Sequence, residues 1–266
     1  MTGDVNLWVN EAAQQLFVAA RERRPIASLK ERPSGSDGNA LGLAYKVQQA
    51  LIARHLAEGD RVVGYKVAIT SRRKLAELSL ASPIAGKLLA SASVPSGGAV
   101  PAGALIRPRI EPEVAFVMDK PLRGPHCTIV DVARAVAYVA PAFEILDARY
   151  PPGAFNAFAA VADNVSASRH VLGPQQFALS GLDLARIGCV LHRNGDIVAT
   201  GAGGQVLGHP MQSVVELVND LATRDEALEA GAIVLAGGLI EAMPVQAGDH
   251  LRASFHTLGD VSVSFG

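Results

Sequence analysis

The spacing of apolar residues changes once along this chain, and that change sets its fold class. Through residues 1–80 the period is mostly helical. Trp8, Ala12, Leu16 and Ala19 recur along NLWVNEAAQQLFVAARER. A loop rich in Pro, Gly and Ser follows (RPSGSDG), and Asn39 stands at its end as a helix N-cap. Leu43, Val47, Leu51 and His55 then share one side of a second helix that Gly59 can close. RVVGYKVAIT at 61–70 is an opening strand, and SRRKLAELSL reads as a short helix after it. From about residue 93 the apolar residues gather into short runs cut by Gly and Pro. RIEPEVAFVM and PAFEILDARY read as strands, and between them TIVDVARAVAYVA has helical spacing through Ile129, Val132, Val136 and Ala140. CVLHRNGDIVAT is a hairpin, because Asn194-Gly195 supplies the left-handed residues of a tight turn. PMQSVVELVNDLA is an amphipathic helix, and the tail gives three strands. The fold class expected is α+β, with a helical N-terminal region over 1–80 packed on a β-rich core over 81–266 as one structural unit.

Composition narrows the function. With 49% apolar and 18% charged residues, the chain has a sizeable core and is too apolar for disorder. The net charge is −1, and no block of Lys/Arg is interleaved with aromatics, so nucleic acid is not an expected partner. The longest apolar runs are too short or too interrupted to span a bilayer. MTGDVNLWVNEAAQQ lacks a basic segment followed by an apolar one, so no signal peptide is expected. Cys127 and Cys189 lie far apart with no metal-site spacing, which fits a reduced cytoplasmic location.

The chemistry lies in charges placed where burial is expected. In a strand, side chains two apart share a face, so Glu111 and Glu113 point the same way while Pro112 points the other. Two such carboxylates need a cation, a shared proton or water. Pro112 lacks an N–H, so this strand is expected at an edge or at a bulge. Glu144 is a third acid, inside the next apolar strand. Three carboxylates without thiolate or histidine spacing make a hard oxygen site suited to Mg²⁺ or Mn²⁺. Lys66 shares its face with the small Gly64, Ala68 and Thr70, which leaves room for a ligand. A buried ammonium is costly unless paired. VADNVSAS at 161–168 clusters Asp163, Asn164, Ser166 and Ser168, either as a turn or as the lining of a polar pocket. Arg149, Arg169 and His170 could hold a substrate carboxylate. His55 and Glu58 read as part of a helix, and GAGG at 201–204 as a turn.

The segments GYKVAITS, RIEPEVAFV, PAFEILDARY, VADNVSASRHVLG, LGHPMQSVVELVNDL and AGGLIEAMPVQAGDHLRASFHTLGDVSVSF resemble, in order, the blocks of the 2-keto-4-pentenoate hydratase / 4-oxalocrotonate decarboxylase family. That family is part of the fumarylacetoacetate hydrolase superfamily. The resemblance implies a mixed β-roll core, a divalent metal (usually Mg²⁺) on Glu111, Glu113 and Glu144, and Lys66 as the catalytic cation. Thr70, Ser71, Asp147, Arg149, Asp163, Asn164 and Ser166 are the expected substrate contacts. The segment with PL-x-GP-x-C spacing, Asp147 and Gly237-Gly238 look more like the decarboxylases than the hydratases. Ala68 and Pro112 depart from the family pattern, which commonly has Gly and Ala there. The reaction implied is loss of CO₂ from 2-oxo-3-hexenedioate, giving 2-hydroxypenta-2,4-dienoate, in meta-cleavage catabolism of aromatic compounds. A hydratase acting on that product and a silent metal-binding partner subunit are the alternatives. The partners implied are a small 2-oxo dicarboxylate and either further copies of the chain or a homologous hydratase or decarboxylase subunit.

Overall fold

The computed structural model describes residues 2–29, 40–151 and 156–266. Helices α1 (Thr2–Glu22) and α2 (Ala40–Ala57) bury the expected apolar side chains against each other, Leu16 and Val47 among them. The Asn39 cap and most of the loop before it lie outside the described residues. Strand β1 (Val62–Ala68), helix α3 (Arg72–Glu77) and strand β2 (Ile84–Leu89) follow. The remaining strands are β3 (Ser93–Pro95), β4 (Ala99–Val100), β5 (Pro108–Met118), β6 (Val136–Asp147), β7 (Ala167–Leu172), β8 (Gly188–Arg193), β9 (Asp196–Ala202), β10 (Ile233–Gly238), β11 (Met243–Pro244), β12 (His250–Phe255) and β13 (Gly259–Phe265). Helix α4 (Ile129–Ala135) precedes β6, α5 (Ala157–Ala162) precedes β7, and α6 (Pro210–Ala222) precedes β10. No helix among the described residues is long and apolar enough to cross a membrane.

The strands form two sheets. One runs β2-β1-β10-β5-β6-β7-β3, with β11 also paired to β5; the other runs β4-β13-β12-β8-β9. The alternation of β5 and β6 separates two environments. Ile110, Val114, Phe116, Phe143 and Ile145 face the main core, which they share with α6 and the smaller sheet. The opposite face of the large sheet carries a smaller apolar cluster of Leu88, Ala115, Ala142 and Leu235. Glu111, Glu113, Glu144 and Lys66 belong by parity to that second face. The turn between β8 and β9 is the expected one, with Asn194 at φ 55° and Gly195 at φ 96°.

Three expectations need correction. Helical spacing over TIVDVARAVAYVA produces a helix only to Ala135, where β6 begins. The Thr128–Asp131 capping box starts that helix. From Val136 onward the chain gains a full ladder against β5, which overrides the local period. Second, Pro112 is not at an edge, because β5 lies between β10 and β6. The irregularity sits in its neighbour: the β10 register shifts between Leu235 and Gly238, opposite Val114, and the β10 pairing ends at Glu113. The Pro112 carbonyl accepts from the Leu239 N–H. The two backbone groups of a strand residue point to the same side, so the missing N–H also faces this neighbour, in the gap between the β10 pairing that ends at Glu113 and the β11 pairing that starts at Ile110. Third, the tail adds the two-residue β11 to the three strands expected.

Candidate metal centre

Glu111 on β5 is directly opposite Glu144 on β6, and Glu113 follows two residues along the same face. The three carboxylates bring ligand oxygens within 4.8 Å of one another. Lys66 reaches them from β1. In a flat sheet, three strand intervals at about 4.8 Å would hold β1 and β6 roughly 14 Å apart. Lys66 Nζ nevertheless lies 2.8 Å from Glu144 Oε1, so the sheet curls around this face. Lys66 is 0% exposed. This is the pairing that a buried ammonium requires.

The electrostatics are those of a cation site. Burial, then the charges of Glu144 and Glu111, push the Glu113 carboxyl well above the usual carboxylate range. Burial, then the charge of Glu144, push Glu111 up to about 7 against the opposing pull of Lys66. Glu144 is raised by burial despite Lys66. Glu113 Oε1 and Glu144 Oε2 are buried without a hydrogen-bond partner, and Glu144 Oε1 has only the Lys66 ammonium. One ammonium cannot neutralise three carboxylates. A hard divalent cation bound by these oxygens would remove both the repulsion and the unmet acceptors, so the residues present fit such an ion.

The β10 bulge completes the centre. Gly237 N–H, released from the ladder, donates to Glu113 Oε2 at 2.6 Å. Gly237 has φ 110°, and a Cβ there would lie 2.4 Å from Thr70 Oγ1. A Cβ on Gly238 would lie 3.0 Å from the Glu111 carboxyl carbon. These two glycines bear on the site through backbone and space alone, a role the sequence reading did not give them. Their signal was the doublet at a strand end, which marks close backbone approach.

A cavity of about 550 Å³ opens over Glu111 and is lined by Thr70, Ser71, Gly237 and Gly238, with Arg73, Lys74 and Glu241 also on its wall. Glu111 is the link between cluster and cavity: it lines the cavity with Thr70 and Ser71, while Lys66, Glu113 and Glu144 lie buried behind it. The other expected contacts have bonds of their own. The Asp147 carboxylate accepts from the backbone N–H groups of Ile106 and Arg107. Arg149 is buried and spent: Nε donates to Asp163 Oδ1 at 2.5 Å, and its two terminal nitrogens donate to the Asp147 and Asp163 carbonyls. Asn164 exchanges two hydrogen bonds with the Lys87 backbone, next to Gly86, the β2 partner of Lys66. Ser166 is buried in the same left-handed turn. Arg169 donates to the Ser168 carbonyl. His170 is paired in register with Glu144 and buried, which lowers its imidazole to about 4. None of Asp147, Arg149, Asp163, Asn164, Ser166, Arg169 or His170 lines the cavity.

Residues 54–265 match the family described as Fumarylacetoacetate (FAA) hydrolase C-terminal. The chain is 42% identical over 222 residues, 84% of each chain, to the 4-oxalocrotonate decarboxylase of Pseudomonas sp. (strain CF600). It is 37% identical to the 2-oxo-hept-4-ene-1,7-dioate hydratase of Escherichia coli, over 95% of this chain and 96% of that one. The structure of the 4-oxalocrotonate decarboxylase from Pseudomonas putida G7, complexed with magnesium and adipate, superposes with a TM-score of 0.91 at 37% identity, covering 97% of both chains.

Proposed function

The chain belongs to the fumarylacetoacetate hydrolase family, and from that membership we propose that it is a divalent-metal-dependent lyase that removes CO₂ from 2-oxo-3-hexenedioate. The product is 2-hydroxypenta-2,4-dienoate, formed in meta-cleavage catabolism of aromatic compounds. The observation that carries this reading is the buried ammonium of Lys66, 2.8 Å from one carboxylate of a three-carboxylate cluster whose Glu111 lines a cavity.

Glu111, Glu113 and Glu144 hold the ion, and Mg²⁺ suits their all-oxygen donor set. When bound, it supplies Lewis acidity toward the 1-carboxylate and 2-oxo group of the substrate. The bond between C5 and the departing carboxylate breaks, and its electron pair moves through the alkene onto the 2-oxygen. Lys66, fixed by Glu144 before substrate arrives, stabilises that developing charge by preorganised electrostatics. A proton from its Nζ, replaced from water, gives the enol product. Thr70 and Ser71 contact the substrate from the cavity wall. Arg149 and Asp163 brace the turn that carries Asn164 and Ser166. The site is assembled within one chain, and further copies or a homologous hydratase that consumes the dienoate are its proposed partners.

The hydratase reading is favoured by relatives of that name that align over 95% or more of the chain. One assay separates the readings. The Mg²⁺-loaded protein is given 2-oxo-3-hexenedioate or 2-hydroxypenta-2,4-dienoate, and CO₂ release and hydration are followed in parallel. CO₂ release from the first substrate is expected. Hydration of the second without any CO₂ release would make the protein a hydratase, and neither reaction with metal bound would make it a silent subunit.

A further inference from the structure

A dicarboxylate chelated at one end leaves its second carboxylate in need of a place. This inference rests on the reading above and concerns that far end. Of the cations expected for it, Arg149 has its guanidinium bonded to Asp163 and two carbonyls. Arg169 lies outside the cavity. The cavity wall carries instead Arg73 and Lys74, on helix α3 just beyond Thr70 and Ser71, and a single acid besides Glu111, namely Glu241. Glu241 Oε1 lies 3.3 Å from Lys74 Nζ and 4.0 Å from Arg73, whose other contact is Glu77 at 2.8 Å. One wall thus joins the metal-binding end to a cationic end.

We propose that Lys74, flanked by Arg73, receives the distal carboxylate of a 2-oxo dicarboxylate, and that the side chain of Glu241 occupies this position when substrate is absent. The chemistry suits a group that must leave. The Lys74 side chain is 41% exposed, so water screens its charge and the grip is loose. A buried bidentate arginine would stabilise the negative charge on the carboxylate, which that group loses as CO₂ departs, and so oppose the step. Glu241, with a side chain 76% exposed, exchanges with the incoming carboxylate at little cost.

The test uses Mg²⁺-loaded protein and two unreactive probes, adipate and pyruvate, titrated calorimetrically into wild type, Lys74→Met, Lys74→Arg and Glu241→Gln. Lys74→Met is expected to weaken adipate by about fivefold, the upper scale of a partly exposed ion pair, and to leave pyruvate unchanged. Lys74→Arg should restore adipate, and Glu241→Gln should tighten it. The KM for 2-oxo-3-hexenedioate should follow adipate. Equal weakening of both probes by Lys74→Met, or of neither, overturns the assignment. A wild type that shows this adipate pattern but releases no CO₂ would overturn the decarboxylase reading and leave the subsite standing.

Discussion

Lys66 occupies a position where a leucine would pack. Its cost is met by Glu144, and Glu144 is in turn kept from being a third uncompensated anion. Lys66→Ala is therefore expected to lower kcat roughly 10²–10³-fold, the usual cost of losing a preorganised charge-stabilising group. Mg²⁺ binding, measured by calorimetry, should persist, because the three carboxylates remain. Unchanged turnover would remove Lys66 from the mechanism. The same logic applies to space. In Gly238→Ala the new methyl group meets the Ile240 carbonyl at 2.8 Å and the Glu111 carboxyl at 3.0 Å, and Mg²⁺ affinity should fall about tenfold, toward the lower end of the range for a group that orients a ligand. Wild-type affinity in that variant would show that Glu111 has slack. These residues were legible in the sequence to different degrees. The three glutamates and Lys66 could be found because strand parity and apolar neighbours expose a misplaced charge. Lys74 and Glu241 could not, since each is a solvated surface charge and they meet only when the chain is folded. Arg149 looked available because nothing in its local sequence shows that helix α5 returns Asp163 to it.

Among the elements, β10 repays its irregularity. Its bulge, opposite Val114, frees the Gly237 N–H for Glu113. Sequence pattern located both strands but not the bulge, because register is a property of the pair. Beyond the end of α6, Glu226 ties three elements to the segment that follows that helix. It accepts from Lys87 of β2 at 2.8 Å, Tyr65 of β1 at 3.4 Å and Gln49 of α2 at 3.3 Å, and lies 3.6 Å from Arg224. Burial alone would raise this carboxyl, but the hydrogen bond and charge of Lys87, then the charge of Arg224, hold it below its ordinary value of 4.5. A depressed carboxyl stabilises the fold above its unfolded pKa and loses that contribution as pH falls through the folded one. Glu226→Gln should cost roughly 1 kcal/mol at pH 7, discounted for partial exposure. Urea melts of variant and wild type should converge as the pH is lowered below about 4. A gap that stays constant with pH would place the contribution in packing instead.

On the scale of the whole molecule, the curl of the large sheet turns four residues on three strands into one centre, so the fold and the ion are linked. Any ligand that binds only the folded state stabilises it, by about 2.7 kcal/mol at a hundredfold excess over Kd. For a chain of this size that is roughly 5–10 °C in Tm, which EDTA should reverse. The three carboxylates are not equivalent in this respect. Glu113→Gln removes a group whose ionised form the fold resists, and its amide oxygen can still accept from Gly237. That variant should lose the Mg²⁺-dependent shift while its metal-free form melts no lower than metal-free wild type. Glu144→Gln removes the counter-ion of a fully buried ammonium. Breaking such a pair from one side typically costs about 3–5 kcal/mol, so its metal-free form should melt well below wild type. Thermal melts of both variants with and without Mg²⁺ measure the two effects in one experiment. Equal melting temperatures for the two metal-free variants would mean that Lys66 does not depend on Glu144, and the coupling between the strand carrying the cation and the strands carrying the acids would have to be abandoned.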